Sequence, residues 1–177
     1  MVAPGIFGMT SEFKSRLDYV VMATNHFHMR DFVKQPCEKT PEGLARHMLS
    51  FFISAAQSGI PDILVHPLFP FGYVELYDKA IASLSDAELI DAFSIAATNG
   101  IGIEINKCYL PNPQANRFFS LETPFRVLSL AKRAGCSFTL GSDSHSIEGF
   151  DVLGKLQCLA KSLNLSAENI HPLARFR

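Results

Sequence analysis

No stretch of this sequence is long and apolar enough to span a bilayer, and the N-terminus lacks the charged-then-apolar pattern of a secretory signal. A Cys-x-x-Cys pair is also missing. Cys37, Cys108, Cys136 and Cys158 are widely spaced, which fits reduced, mostly packed thiols in a cytoplasmic protein. Charge of one sign is not in excess: 16 Lys and Arg stand against 17 Asp and Glu, a net charge of -1. The basic residues are scattered and form no stripe, so no nucleic-acid partner is indicated. A P-loop, a dinucleotide fingerprint and a catalytic serine motif are absent too. Membrane-spanning, disulfide-stapled and nucleic-acid-binding classes therefore drop out.

What remains is a chain of 177 residues, enough for a single domain, 1–177, with a real core. Residues 1–17 are poorly patterned. After them, apolar runs and amphipathic segments alternate. Asp18 to Thr24 reads as a strand delivering Asn25-His26-Phe27-His28. Thr40-Pro41 starts a helix that stops near Ser58-Gly59 and carries Leu44, Met48, Phe51, Phe52 and Ala55 on one face. Asp62 to Val65 is a second strand, ending on His66-Pro67, where proline forbids further ladder pairing. Ser85 and Glu88 form a capping box for the next helix, which reaches Asn99-Gly100. Ile101 to Ile105 is the third strand. A helix from Thr123-Pro124 to Ala134-Gly135 leads to the fourth strand, Ser137 to Leu140. A helix of about fourteen residues then runs from near Phe150 to Leu163. Fourfold strand-helix alternation without a hairpin signal predicts parallel βα units in sequential order.

Right-handed crossovers place the C-terminal ends of parallel strands on one rim, where functional groups of α/β folds gather. His26, His66, the Glu104–Asn106 segment and the tip Gly141-Ser142-Asp143-Ser144-His145 all fall there. His47, inside a helix, and His171, near the terminus, do not. Imidazoles with a carboxylate can hold zinc, manganese or iron and leave a position for water. Each residue also has a plainer reading. His26 and His66 can bond backbone carbonyls in packed positions, and His28 can face solvent. Glu104 is either an interior carboxylate or an exposed one, and Lys107 and Arg117 either hold a phosphate or sit solvated. With no other nucleophile motif, metal-activated water is the nucleophile that the sequence proposes, and no catalytic side chain is assigned.

The segments Asp18-Tyr19-Val20-Val21 with Asn25-His26-Phe27, Asp62 to Pro67, Gly102 to Asn106, and Leu140 to His145 resemble motifs of the PHP (polymerase and histidinol phosphatase) superfamily of metal-dependent phosphoesterases. The Gly-Ser-Asp-x-His tip is the most specific of them. The resemblance implies part of a distorted (β/α)7 TIM-like barrel, about four parallel βα units, with a metal site on the C-terminal rim. It carries metal ligation onto His26, His66, Asp143 and His145. The family's pattern opens with a His-x-His strand, a further His and a bridging Glu ahead of the position of Asp18, and none of these lies upstream here. His26-x-His28 is itself a His-x-His, but its flanks fit the later motif better. The chain thus matches the C-terminal portion of such a barrel: its four βα units make about half a barrel, against a usual barrel length of about 250 residues.

Three functions follow as expectations. The first is a phosphoesterase acting on a phosphorylated small molecule or nucleotide-like phosphoester, with divalent metal at partial occupancy and little activity alone. The exposed strand edges of a half-barrel then call for a homodimer or a complementing N-terminal chain. The second is a degenerate half-barrel serving as a binding module. The third is a small open α/β protein with an unrelated ligand at the same rim.

Overall fold

The computed structural model describes residues 1–115, 117–144 and 146–175. Helix α1 (Ser11–Lys14) is capped by the Thr10 hydroxyl and precedes β1 (Val21–Ala23). Helix α2 (Pro41–Gln57), strand β2 (Ile63–Val65), and helices α3 (Tyr77–Ala82) and α4 (Asp86–Thr98) follow. Strand β3 (Gly102–Asn106), helix α5 (Glu122–Arg133), strand β4 (Phe138–Gly141) and helix α6 (Leu153–Ser162) complete the order. The four strands form one parallel sheet in the order β1-β2-β3-β4, flanked by helices. This is the sequential arrangement that the alternation predicts.

Local signals explain most of these boundaries. Thr40 turns its hydroxyl to the Gly43 amide at 3.0 Å, and Pro41 opens α2 where its missing N–H costs nothing. The Ser85–Glu88 capping box forms as expected. The strands are shorter than the apolar runs because side chains take over the flanking backbone groups. The Val20 amide, for instance, donates to the Asp62 carboxylate at 2.7 Å.

Several expectations need correction. Helix α5 starts at Glu122, one residue before Thr123, and no side chain caps it. The Thr123 hydroxyl instead donates to Asp78, which also accepts from the Ser120 amide at 2.9 Å. Helix α3 was not evident from the sequence, since its six residues are too few for a legible period. The last helix is tightened to a 3-10 turn over Ile147–Val152 before α6 begins at Leu153. Of the four free cysteines, only Cys108 and Cys136 are buried, while Cys37 and Cys158 are exposed, so "mostly packed" holds for half of them.

The register divides the sheet into two faces. Met22, Leu64, Ile103 and Phe138 align across the strands, and each is at most 8% exposed. They join Leu44, Phe51 and Phe52 of α2, Leu89 and Phe93 of α4, and Val127 and Leu128 of α5 in one core. The Phe52 and Phe93 rings meet edge to face at 5.1 Å. Each such fully buried side chain stabilises the fold by about 1.5–3 kcal/mol relative to exposure. On the opposite face stand Val21, 48% exposed, and the half-buried Ala23, Val65 and Glu104. The helices therefore cover one face, and the other carries a mixture of apolar side chains with Glu104 and Thr139.

Glycines on that second face make room for two crossings. A Cβ on Gly102 would lie 2.9 Å from His171 Cδ2, and one on Gly141 would lie 1.6 Å from Glu104 Oε1. Past the strand ends, Phe69, Tyr77, Tyr109 and Phe119 form a cluster of edge-to-face rings. The Tyr109 hydroxyl donates to the Pro67 carbonyl, tying the loop after β3 to the loop after β2. That tie fixes the rim on which the candidate residues stand.

Candidate metal centre

Strands β1 and β2 run side by side, so their exits lie together. His26 follows β1 by three residues and His66 follows β2 directly. Their Nε2 atoms are 3.3 Å apart, with the rings 5.0 Å between centroids and inclined at 26°. His66 is buried, at 2% exposure, while His26 is half-buried.

Asn25 sets the orientation of this pair. Its side-chain amide donates to the His66 carbonyl at 2.9 Å and to the Phe69 carbonyl. The Asn25 Oδ1 must therefore be the atom facing His66 Nδ1, at 3.2 Å. An acceptor there requires a proton on His66 Nδ1, which leaves Nε2 with its lone pair directed at His26. A second group holding the far nitrogen of an imidazole is the arrangement that fixes ligand histidines at metal sites.

The backbone at these exits is strained. His66 has φ 35 and Leu68 φ 61, and Asp143 at the tip of β4 has φ 49. Such left-handed conformations cost a non-glycine residue on the order of 1–2 kcal/mol each. At His66 the cost is offset by fixed partners on both sides: its amide donates to Glu104 Oε2 at 3.2 Å, and its carbonyl accepts from Asn25. Strain held in this way places the imidazole where a relaxed strand exit would not.

Glu104 projects from β3 on the face opposite the helices and is half-buried. Its Oε2 accepts from the His66 amide and from Asn106 Nδ2, the latter at 2.8 Å. Burial raises its pKa, and the nearby charge of Asp143 pushes the same way against those two hydrogen bonds. Burial likewise lowers the His66 pKa to about 3, with the neighbouring His26 adding to it. The His26 pKa is lowered by burial and by His28, while Asp143 opposes the shift. Both imidazoles are therefore neutral near pH 7, the state in which they donate lone pairs.

Two of the four expected ligands, His26 and His66, are thus brought together. Asp143 stands at the same rim, exposed, and Lys107 Nζ donates to its carbonyl at 2.8 Å. His145 lies outside the described residues. Among the described residues, no three His, Cys, Asp or Glu side chains converge closely enough to hold one ion. At 3.3 Å the two Nε2 atoms are in hydrogen-bond contact, His26 Nε2–H donating to the His66 lone pair, and the same spacing is compatible with a shared metal. Two nitrogens bound at about 2.0–2.1 Å to one tetrahedral zinc are separated by about 3.3 Å, the spacing found between His26 and His66.

His28 is exposed, and its ring lies 5.2 Å from that of His26. His47 and His171 bond the backbone carbonyls of Lys34 and Gly100, at 2.8 and 3.1 Å, and take no part in the rim. Phe71 was not foreseen as part of the centre. Its ring meets the edges of His26 and His66 at 5.5 and 4.9 Å. The part played by Asn25 was also unforeseen, since its partners lie more than 40 residues further along the chain.

Fold and site together describe a mixed α/β protein whose parallel sheet presents a buried and a half-buried imidazole side by side at its C-terminal rim. Comparison with protein-family models, with curated proteins and with solved structures finds no match for this chain.

Proposed function

We propose that the chain is a PHP-like metal-dependent phosphoesterase unit, part of a (β/α)7 TIM-like barrel, with its centre built on His26 and His66. The observation that supports this most is the 3.3 Å spacing of two neutral imidazole nitrogens, one of them oriented by Asn25. His26 and His66 would hold a zinc, manganese or iron ion, with Asp143 and His145 as the further ligands that the resemblance implies. When bound, such an ion supplies an activated water and polarises a phosphoryl oxygen. The chain's own contributions are the fixed tautomer of His66, the anchoring of its amide by Glu104, and exclusion of water by Phe71. The edge of β1, where Val21 is 48% exposed, is assigned to a second copy or a complementing chain.

A second reading is a non-catalytic binding module on the same scaffold. It is favoured by the lack of a third convergent ligand among the described residues. Metal analysis by mass spectrometry, combined with hydrolysis of p-nitrophenyl phosphate, separates the two. The phosphoesterase reading expects partial metal loading, lost in His66→Ala, and metal-dependent turnover that is weak for this chain alone. Tight loading without any turnover supports the binding module. No uptake of zinc, manganese or iron rejects a metal centre altogether.

A further inference from the structure

Beside the histidine pair opens a cleft of about 1210 Å³ whose chemistry differs from that of the pair itself. The two meet at Phe71, which lines the cleft and touches both imidazoles, and Lys107, also in the lining, donates to the Asp143 carbonyl. Its lining includes apolar side chains, Phe71, Leu110 and a Leu121 that is 52% exposed. It also includes Lys107, Arg117 and Lys155, with the two carboxylates Glu75 and Asp151. Among the described residues, none of these three cations forms an ion pair.

Arg117 shows the most unfulfilled valence. Its Nη1 donates to the Lys107 carbonyl at 3.3 Å, but its Nε is buried and has no partner among the described residues. A buried donor left unmade costs about 1–3 kcal/mol, more on a charged group, a cost that an acceptor recovers only if the guanidinium shifts to expose Nε to the cleft. Guanidinium matches planar oxyanions with paired donors. The volume is ample for a ring-bearing ligand, since small-molecule sites commonly enclose about 300–1,000 Å³.

We infer that this cleft binds the organic portion of an anionic ligand, with a flat apolar body against Phe71, Leu110 and Leu121 and an oxyanion substituent held by Arg117, Lys107 and Lys155. The oxyanion is a carboxylate or a phosphoryl group. The inference deepens the proposed function by naming its substrate class, and it rests on that reading only for the ligand's also being a substrate. Binding to the cleft itself needs no metal.

The test titrates the whole chain, in EDTA, with 1-naphthyl phosphate, 1-naphthoate and neutral 1-naphthol, following ligand fluorescence. At least one anion should bind about tenfold or more tightly than 1-naphthol, a difference of about 1.4 kcal/mol. Arg117→Ala should remove most of that preference. Lys155→Ala, on an exposed stretch of α6 where the fold is not at risk, should reduce it severalfold. Lys161→Ala, exposed on the same helix and outside the cleft, should not change it. The tighter of the two anions identifies the oxyanion. Equal binding of 1-naphthol, or a preference unchanged in both Arg117→Ala and Lys155→Ala, overturns the inference, as does no binding of any probe. Anion binding that appears only after zinc is added overturns it too, but leaves the phosphoesterase reading standing. Cleft binding in EDTA with no metal uptake does the reverse.

Discussion

Asn25→Ala tests the site most directly, because one buried side chain there holds two backbone carbonyls and one imidazole nitrogen. Asn25 is 1% exposed. Truncation removes the donors to the His66 and Phe69 carbonyls and the acceptor for His66 Nδ1. A buried polar group stripped of its partner costs about 1–3 kcal/mol. Three groups are affected, and water entering the gap recovers part of the loss, so the net destabilisation should be about 3 kcal/mol. For a chain of this size that lowers Tm by roughly 6–12 °C, at about 2–4 °C per kcal/mol. Urea unfolding followed by circular dichroism measures the first effect. Nitrogen-15 NMR of the histidine rings reads the second: His66 should carry its proton on Nδ1 in the parent and lose that preference in Asn25→Ala. Asn25→Asp separates the roles, since it keeps an acceptor for His66 Nδ1 and loses both donors to the carbonyls. It should preserve the tautomer while still losing stability. A loss under about 0.5 kcal/mol in Asn25→Ala, with the ring signals unmoved, would refute the assignment of Asn25 as the orienting residue.

Further outcomes are expected. His66→Ala should lower bound zinc or manganese far more than His47→Ala, because His47 is engaged with the Lys34 carbonyl; mass spectrometry of the purified variants measures this. Gly141→Ala should destabilise the fold by about 3 kcal/mol, by driving Glu104 off two hydrogen bonds, each worth about 1.5–3 kcal/mol for a charged group. Because the obstacle is the Glu104 side chain, the double variant Gly141→Ala/Glu104→Ala should cost less than the sum of the singles, and a strictly additive pair would reject that steric account. For pH, the folded His66 has a pKa near 3 against 6.5 in the unfolded chain, so between those values the unfolded state binds the extra proton. Stability from this group is complete above about pH 6.5 and is withdrawn as the pH falls towards 3, at about 1.4 kcal/mol per pH unit. Denaturant midpoints of the metal-free chain at pH 7, 5 and 4 should fall in that order in the parent, and much less steeply in His66→Phe.

The architecture was legible because its signals are local. Thr40-Pro41 and Ser85 with Glu88 mark helix starts by backbone chemistry that acts within a few residues, and the strands stand where the apolar runs predict. The clustering of His26 and His66 was legible as well, since parallel strands in sequential order bring successive exits together. What stayed hidden depends on contacts distant in sequence. Thr123 looks like a helix cap, but Asp78, 45 residues away, claims its hydroxyl. Glu104 could be placed on either side until the sheet chose which face the helices cover. Asn25 gave no sign of its partners, because both of its carbonyl acceptors belong to a loop more than 40 residues further on.

The electrostatics of the rim argue for the kind of ligand it is suited to. Burial keeps His26 and His66 neutral and raises the Glu104 pKa, while Asp143 opposes the shift on His26 and adds to that on Glu104. Protonating the imidazoles would ease the repulsion between the carboxylates, but their burial resists it. On the proposed reading, a divalent cation held by His26 and His66 would take the lone pairs that burial protects and bring positive charge near Asp143 and Glu104. An anion placed at the same spot would meet two carboxylates and no free proton. The lining of the neighbouring cleft, with Lys107, Arg117 and Lys155, is where an anion would find its match. On the proposed reading, metal and oxyanion would be separated in space, with Phe71 touching the histidine pair and lining the cleft. A ligand carrying its negative charge close to that junction would answer to both.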